Sequence, residues 1–213
     1  MKRYLLMTQL ILLLCLTQQV YSQISVGGFG MLNSSNLSGN PPADTKYSGK
    51  TSFGGGLLLD YKFNEEVTLS FQPNYIQKGT IVSYDLPNNK EQRDSLSINF
   101  SYFSMPLMVK VFANKTVYVS GGIAVDFLQE ARTEMVNEDK SNDVKEFTSS
   151  LDLTANFGIG LNFPVKSLTL FFEGRFSQGL LNISEFDDSD ESSLIPQFKN
   201  TGIQLLAGFL YPL

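Results

Sequence analysis

The feature that most constrains the fold is a run of strict alternation at residues 149–164. Every second residue from Leu151 to Phe163 is apolar, and the residues between them are polar or glycine. A period of two is typical of a β-strand with one apolar and one polar face. A tilted strand crosses a bilayer in about 9–11 residues, whereas a strand of a soluble protein has about 5–6. The length of this run therefore predicts a lipid-facing strand of a transmembrane barrel.

Seven other stretches follow the same pattern and bring the predicted number of strands to eight. The predicted strands are residues 23–32, 51–63, 67–83, 96–113, 117–132, 149–164, 168–181 and 201–213. The connections between them alternate between long and short. An even strand number, long loops at one end and short turns at the other are typical of outer-membrane barrels. The predicted fold is all-β, an eight-stranded antiparallel up-and-down transmembrane β-barrel with short periplasmic turns and long extracellular loops.

The N-terminus predicts export from the cytoplasm. Residues 1–22 carry two basic residues, an apolar stretch at 10–16 and a cleavage position before Gln23, which together indicate a secretory signal peptide. Residues 23–213 then form the barrel domain. The only cysteine, Cys15, lies in the signal peptide, so the mature chain would contain neither a disulfide nor a thiolate metal site. The predicted location is the outer membrane, as an integral protein after cleavage.

The fourth predicted strand breaks the pattern. Its apolar residues occupy even positions at 98–102 and odd positions at 103–111. A β-bulge near Phe103 would produce such a change of phase. Pairing with the third strand places Pro73 opposite about Pro106, and a closed barrel has no free edge at which to place prolines. We therefore expect a local defect in the wall between strands three and four.

Two motifs in these strands resemble those of a known family. The motifs comprise Gln72, Pro73, Tyr75, Lys78, Gly79, Tyr102, Pro106 and Lys110. They resemble the Bacteroidetes outer-membrane β-barrel family, whose members are described as PorT-like or porin-family proteins with an outer membrane protein beta-barrel domain. The resemblance extends over the whole mature chain and implies an outer-membrane barrel. It also allows a role in type IX secretion, from which the family takes its name.

Charged residues recur on the polar faces of the predicted strands. The interior candidates are Asp60, Lys62, Lys78, Asp126, Glu130, Glu173 and Arg175. The interior of an eight-stranded barrel is narrow and filled by side chains, and an isolated buried charge is costly. We therefore expect these residues to form ion pairs that fill the barrel. The alternative is a conductive or catalytic interior.

Composition argues against several classes of function. The chain has no histidine, the usual general base of small outer-membrane enzymes, and we predict no catalytic residue, no cofactor and no enzymatic activity. A net charge of -5 without a basic cluster argues against binding of nucleic acid. An acidic stretch contains the weak calcium candidates Asp187, Asp188, Asp190 and Glu191. Their spacing is not that of an EF-hand, so no metal site is predicted.

Three interpretations of function remain open. The first is a structural or surface-interaction barrel that contacts outer-membrane lipid and binds an external ligand at its loops. The second is an accessory component of a secretion or transport machine, with proteins of that machine as partners. The third is a soluble lipocalin-like barrel that binds a ligand, with the apolar face inside and Asp60, Lys62, Glu173 and Arg175 facing solvent.

Overall fold

The computed structural model of the chain describes residues 23–39, 45–86, 89–135, 141–183 and 198–213. The predicted signal peptide lies outside these residues. The described elements are β1 (Ile24–Ser38), β2 (Thr45–Lys62), β3 (Val67–Phe71), β4 (Asn74–Leu86), β5 (Asn89–Phe112), β6 (Val117–Met135), β7 (Ser141–Asp143), a 3₁₀ turn (Lys145–Phe147), β8 (Leu151–Val165), β9 (Leu168–Gly179) and β10 (Lys199–Pro212).

These strands form one closed antiparallel ring. β2 pairs with β1 on one side and with β3 and β4 on the other, and β3 and β4 both pair with β5. The ring continues through β6, β8 and β9 to β10, which pairs with β1. β3 and β4 are two parts of one wall strand, and the three-residue β7 pairs only with β6. The predicted eight-stranded up-and-down barrel is confirmed.

The two faces of the wall differ as an outer-membrane barrel requires. The outer face carries exposed apolar side chains, such as Phe53 at 74% and Ile159 at 61% exposure. The inner face buries charged side chains, such as Glu173 at 2% and Arg175 at 3%. The lipocalin-like interpretation required the reverse arrangement and is therefore wrong. No helix among the described residues is long and apolar enough to cross a membrane.

The strands extend further than the predicted loops allowed. β1 continues to Ser38 and β2 begins at Thr45, although the first predicted strand ends at residue 32 and the second begins at residue 51. β4 likewise continues to Leu86 and β5 begins at Asn89, although the third predicted strand ends at residue 83 and the fourth begins at residue 96. Backbone pairing with a neighbouring strand is open to polar residues too, so polar composition marks the end of the lipid-facing zone rather than the end of the strand.

Two of the three short turns are fixed by asparagine side chains. The Asn64 side-chain oxygen accepts hydrogen bonds from the backbone N–H groups of Glu66 at 2.9 Å and Val67 at 2.8 Å. Asn114 repeats this arrangement with Thr116 and Val117, both at 2.8 Å. Such side-chain turns let the chain reverse within a few residues. We call this end of the barrel the short-turn end and the opposite one the long-loop end.

The predicted change of phase in the fourth strand is wrong. In β5 the even-numbered residues face inward on both sides of Phe103, from Phe100 and Tyr102 to Lys110. The register with β4 is continuous from Ser104 to Arg93. The expectation failed because it assumed a polar interior throughout, whereas the interior is apolar at the height of Phe100.

The bulge lies on the neighbouring strand instead. Ser101 of β5 pairs with Glu130 of β6, but the next residue, Tyr102, pairs with Leu128. Gln129 is therefore an extra residue in β6. A β-bulge changes which side chains of a strand face inward. Leu128 keeps the inward phase of Asp126, and after the bulge Ala131 faces into the barrel while Glu130 faces out.

The wall strand made of β3 and β4 is interrupted at Gln72 and Pro73, in agreement with the predicted defect. The interruption is small, because the Gln72 N–H donates to the Pro106 carbonyl at 3.0 Å and the Leu57 N–H donates to the Pro73 carbonyl at 2.9 Å. Pro106 itself stays within β5, opposite Ala124 of β6. The missing proline donors are thus accommodated without loss of register.

Candidate functional site

Buried polar side chains cross the barrel interior in two groups. The group nearer the short turns, here called the turn-side network, consists of Asp60, Ser70, Gln72, Lys110, Tyr118, Ser120, Glu173 and Arg175. The group nearer the long loops, the loop-side network, consists of Lys78, Tyr102, Ser104, Asp126, Asp152, Thr154 and Asn200.

An ion pair begins the turn-side network. The Lys110 ammonium nitrogen lies 2.8 Å from the Asp60 carboxylate, and both side chains are buried. The Ser70 hydroxyl also donates to Asp60, and the Gln72 amide donates to Ser70 at 2.8 Å. The Lys110 ammonium lies 5.6 Å from the centre of the Tyr118 ring, in the range of a cation–π contact. The charge of Lys110 is thus fully compensated within the protein.

A second ion pair continues the network to the far wall. Arg175 lies 2.8 Å from Glu173 on the same strand, and its guanidinium donates to the Gln72 amide oxygen at 2.7 Å. Glu173 accepts two more hydrogen bonds, from Tyr118 at 2.8 Å and from Ser120 at 2.9 Å. These contacts join five wall strands into one hydrogen-bonded chain across the lumen.

A glycine on β8 makes this contact between separate strands possible. Gly160 pairs with Tyr118 of β6 on one side and with Glu173 of β9 on the other. A methyl group on Gly160 would lie 2.2 Å from the Tyr118 ring, closer than atoms can approach. Because Gly160 has no side chain, the Tyr118 hydroxyl reaches across β8 to Glu173.

The loop-side network is centred on Lys78. Its ammonium lies 2.6 Å from Asp126 and 3.8 Å from Asp152, and 4.9 Å from the centre of the Tyr102 ring. Asp126 also accepts hydrogen bonds from the Ser104 and Thr154 hydroxyls. The Asn200 amide donates to Asp152 at 2.8 Å. One lysine therefore serves two carboxylates.

The buried interior thus holds one more acid than base among the described residues. Four carboxylates face three cations, and Asp152 is the acid without a close cation of its own. One of its oxygens, Oδ1, has no hydrogen-bond donor in the described part of the chain. Asp152 is therefore the interior carboxyl group with the weakest compensation.

Five of the seven interior candidates lie in these networks. Asp60, Lys78, Asp126, Glu173 and Arg175 are buried, and each takes part in an ion pair. Lys62 and Glu130 do not, which corrects the prediction for these two. Lys62 lies at the exposed end of β2, beside the short turn. Glu130 faces outward after the bulge and contacts the exposed Arg132 at 3.4 Å.

Two interior charges were missed. Lys110 was recognised only as a motif residue, because the assumed change of phase obscured the inward face of β5. Asp152 lies on the polar face of the predicted strand at residues 149–164, but it was not counted among the ion-pair candidates. In both cases the available signal was that the residue lies an even number of positions from an inward-facing residue on the same strand.

Most of the motif residues also lie inside the barrel. Gln72, Lys78, Tyr102, Pro106 and Lys110 are buried. Tyr75 and Pro73 are the exceptions, because Tyr75 is 45% exposed on the outer face and Pro73 is only partly buried. Gly79 lies where strands pack closely, since a methyl group there would be 2.1 Å from the Ile98 carbonyl oxygen. The motifs therefore describe how the barrel is filled.

Each end of the barrel holds a large cavity beyond the two networks. At the short-turn end a vestibule of about 580 Å³ is lined by both polar and apolar residues and reaches down to Asp60. At the long-loop end a pocket of about 330 Å³ lies among apolar residues. Two small cavities beside Lys78 each measure about 10 Å³, the size of one water molecule.

We call the upper cavity the loop-side pocket. Its lining residues are Leu37, Tyr47, Ile98, Phe100, Thr133, Val144, Phe147, Thr148, Ile183 and Phe198. Part of the lining comes from the segment after β7, which folds back so that the Val144 N–H donates to the Ala131 carbonyl at 3.0 Å. The Ile183 N–H donates to the Phe198 carbonyl at 2.9 Å and joins the two chain ends of the β9–β10 connection.

The described residues contain no group of three or more acidic residues, histidines or cysteines placed to hold a metal ion. The calcium candidates Asp187, Asp188, Asp190 and Glu191 lie outside the described residues.

A closed ring with an apolar outer surface and an ion-paired interior is the architecture of an outer-membrane β-barrel. The family model described as "Outer membrane protein beta-barrel domain" matches residues 17–185. The chain belongs to this family, and the protein is an outer-membrane β-barrel protein.

Several solved structures are similar to this chain at low sequence identity. Neisserial surface protein A (NspA) is 10% identical, with 88% of this chain and 97% of that chain covered and a TM-score of 0.45. Ail of Yersinia pestis, solved with the heparin analogue sucrose octasulfate, is 15% identical over 89% and 99%, also with a TM-score of 0.45. OprG of Pseudomonas aeruginosa is 13% identical over 89% and 95%, with a TM-score of 0.38. No curated protein is similar enough to count as a relative.

Proposed function

We propose that this protein is a closed, non-enzymatic barrel of the outer membrane that acts structurally or by binding at its long-loop end. The observation that supports this most directly is the pair of networks across the lumen. Each contains a buried ion pair held by further hydrogen bonds, so an ion moving along the barrel axis would have to break both.

The energetic argument concerns the cost of opening such a barrier. Separating a buried ion pair leaves charges without partners in a medium of low polarity, which costs several kcal/mol for each ion. Lys78 and Lys110 each have a carboxylate within 2.8 Å, and their side chains are at most 5% exposed. Spontaneous opening would therefore be rare, and transport through the lumen is not the role we propose.

Interaction is then left to the surfaces at the two ends. The long-loop end faces the outside in barrels of this type, and it carries the apolar loop-side pocket and the exposed Phe147 at 55%. The proposed role at this end is binding of an external ligand or a neighbouring envelope component, with lipid as the partner around the wall.

The accessory role in a secretion machine is a second candidate that rests on the PorT-like resemblance. The motif residues that support the resemblance are mostly buried, so they would stabilise the barrel in any member of such a family. A protein partner would have to contact the ends of the barrel or the outer wall.

Two experiments test the proposal. The purified full chain, reconstituted into a planar lipid bilayer beside a porin as positive control, should show no steady conductance, whereas stable channels would contradict a closed barrel. Extraction of the tagged protein from its native outer membrane in mild detergent should yield a lone, heat-modifiable barrel. Stoichiometric recovery with secretion proteins would favour the accessory role instead.

A further inference from the structure

The loop-side pocket has the size and the lining of a ligand site. It has a volume of about 330 Å³ and opens at the long-loop end of the barrel. Small-molecule sites start at about 300 Å³ and are lined mainly by apolar and aromatic side chains with a few polar groups. Seven of the ten lining residues are aliphatic or phenylalanine, and the other three are two threonines and a tyrosine.

The pocket is separated from bilayer lipid by the wall. Its floor is formed by inward-facing side chains, among them Leu37 at 7% and Phe100 at 5% exposure. Phe100 belongs to the buried apolar cluster, and its ring centre lies 6.4 Å from that of Tyr102 in the loop-side network. A molecule in the pocket would therefore enter from the long-loop end and stop above the networks.

The polar groups of the lining restrict the chemistry of the ligand. No charged residue is among the described lining residues, so an ionised head group would lose its hydration without a counter-charge. The Thr148 hydroxyl donates to the Val144 carbonyl at 3.0 Å. Since this proton is already used, the Thr148 oxygen remains available as an acceptor, and the Thr133 hydroxyl is a second polar group of the lining.

We propose that the loop-side pocket binds a neutral aliphatic molecule with a single hydrogen-bond-donating head group, such as a fatty alcohol. The hydrocarbon part would contact the phenylalanine, leucine and isoleucine side chains, and the head group would donate to a threonine hydroxyl. This inference rests on the proposed function, because in an open barrel the same space would be the mouth of a channel.

The absence of tryptophan from the whole chain provides a clean reporter. Phe147→Trp places one indole at the mouth of the pocket, since Phe147 lines it and is 55% exposed. Phe157→Trp is the matched control on the lipid-facing wall, where Phe157 is 61% exposed. Both variants are reconstituted into lipid nanodiscs, and heat modifiability on a gel verifies that each barrel is folded.

The probes are bromooctanol, bromodecanol and bromododecanol, which quench indole fluorescence on contact. In Phe147→Trp we expect saturable quenching whose affinity, referred to the free aqueous concentration of the probe, rises by about fourfold for each methylene until the pocket is full. In Phe157→Trp the same probes should quench without saturation, because they only partition into lipid. Bromododecanoate at neutral pH should bind the pocket more weakly than the alcohol of equal length.

A second substitution fills the pocket. Val144→Phe adds volume within the lining, and Val119→Phe adds the same volume on the outer wall, where Val119 is 54% exposed. Added to Phe147→Trp, the first should weaken quenching by about tenfold or more, since a lost fit of a few methylenes has this effect, and the second should leave it unchanged. Thr133→Leu replaces Val144→Phe if that barrel does not fold.

Unsaturable quenching at Phe147→Trp that is insensitive to Val144→Phe would overturn the pocket proposal. So would complete protection of the indole from every probe, as expected if another part of the chain fills the pocket. Conductance of the same purified variants in a planar lipid bilayer separates the two proposals. If the barrel shows no conductance and no saturable quenching, only the ligand proposal is contradicted. If the barrel conducts, the proposal of a closed barrel is contradicted.

Discussion

Lys110 and Phe100 both point into the barrel from β5, yet one is held by an ion pair and the other packs among apolar side chains. In the half nearer the short turns, charges and hydrogen bonds form a connected network beside apolar residues such as Phe171. Near the long loops, above the loop-side network, the apolar residues around Phe100 lie beneath an apolar pocket. The inner face of β5 thus runs from an ion-paired environment to an apolar one.

The difference shows that lipid constrains only the outside of such a barrel. The outer face must be apolar over the height of the membrane. The interior needs only to be filled by side chains whose polar and charged groups have partners. Either paired charges or packed hydrocarbon meets that requirement. The apolar region near the long loops is suited to binding an apolar molecule, and the ion-paired region nearer the short turns is suited to resisting the passage of ions.

The largest effect that separates the two regions should come from Lys110→Met. Loss of the ammonium leaves Asp60 as a buried charge without a cation, which should cost about 3–5 kcal/mol of unfolding free energy. The measurement is a urea titration of the reconstituted barrel, followed by heat modifiability. The matched control is Lys62→Met, since Lys62 was predicted to be equally internal but is exposed. Equal destabilisation by both variants would show that the ion pair is not the cause.

On the outer face, the free-energy cost of a charged side chain should depend on its depth in the membrane. Ile159→Arg places a cation at the middle of β8 on the lipid side, where we expect a loss of about 2–4 kcal/mol of folding free energy. Val165→Arg, at the short-turn end of the same strand, should cost about 1 kcal/mol or less, because it lies near the interface. Fractional folding into lipid vesicles compares the two. Normal insertion of Ile159→Arg would contradict the assigned orientation of the wall.

A smaller effect should follow the loss of one hydroxyl from the turn-side network. Tyr118→Phe removes the donor that reaches Glu173 across Gly160, which should cost about 1.5–3 kcal/mol as a hydrogen bond to a charged group. The same change at Tyr75, 45% exposed on the outer face, should alter stability little. If the two substitutions are equivalent in urea titrations, the contact between Tyr118 and Glu173 does not stabilise the barrel.

The smallest effect is expected at Glu130, the predicted interior residue that the bulge turns outward. Its contact with Arg132 is between two side chains that are each 54% exposed, so Glu130→Gln should cost about 0.5 kcal/mol or less. Glu173→Gln, the same change inside the turn-side network, should cost several-fold more, and high salt should abolish only the Glu130 effect. A large loss at Glu130 would place that side chain inside after all.

The sequence by itself determined the class of fold and the orientation of most of the wall. The alternation in β8 was sufficient because lipid on one side imposes an apolar residue at every second position over a full membrane crossing. It also indicated five interior charges correctly, since a charged residue on a lipid-facing strand has to point away from lipid. For Asp126 and Arg175, for example, the inward direction follows from the alternation alone, without knowledge of the residues that they contact.

Only the tertiary structure decided which charges meet and where the interior changes character. Lys110 and Asp60 are 50 positions apart in the chain, and the closure of the ring brings them together. The extra residue Gln129 moves Glu130 outside, although the local pattern of β6 gives no sign of it. The apolar residues around Phe100 were interpreted as a change of phase in the strand. Alternation shows only that the two faces differ, and it does not show which side chains an inward-facing residue contacts.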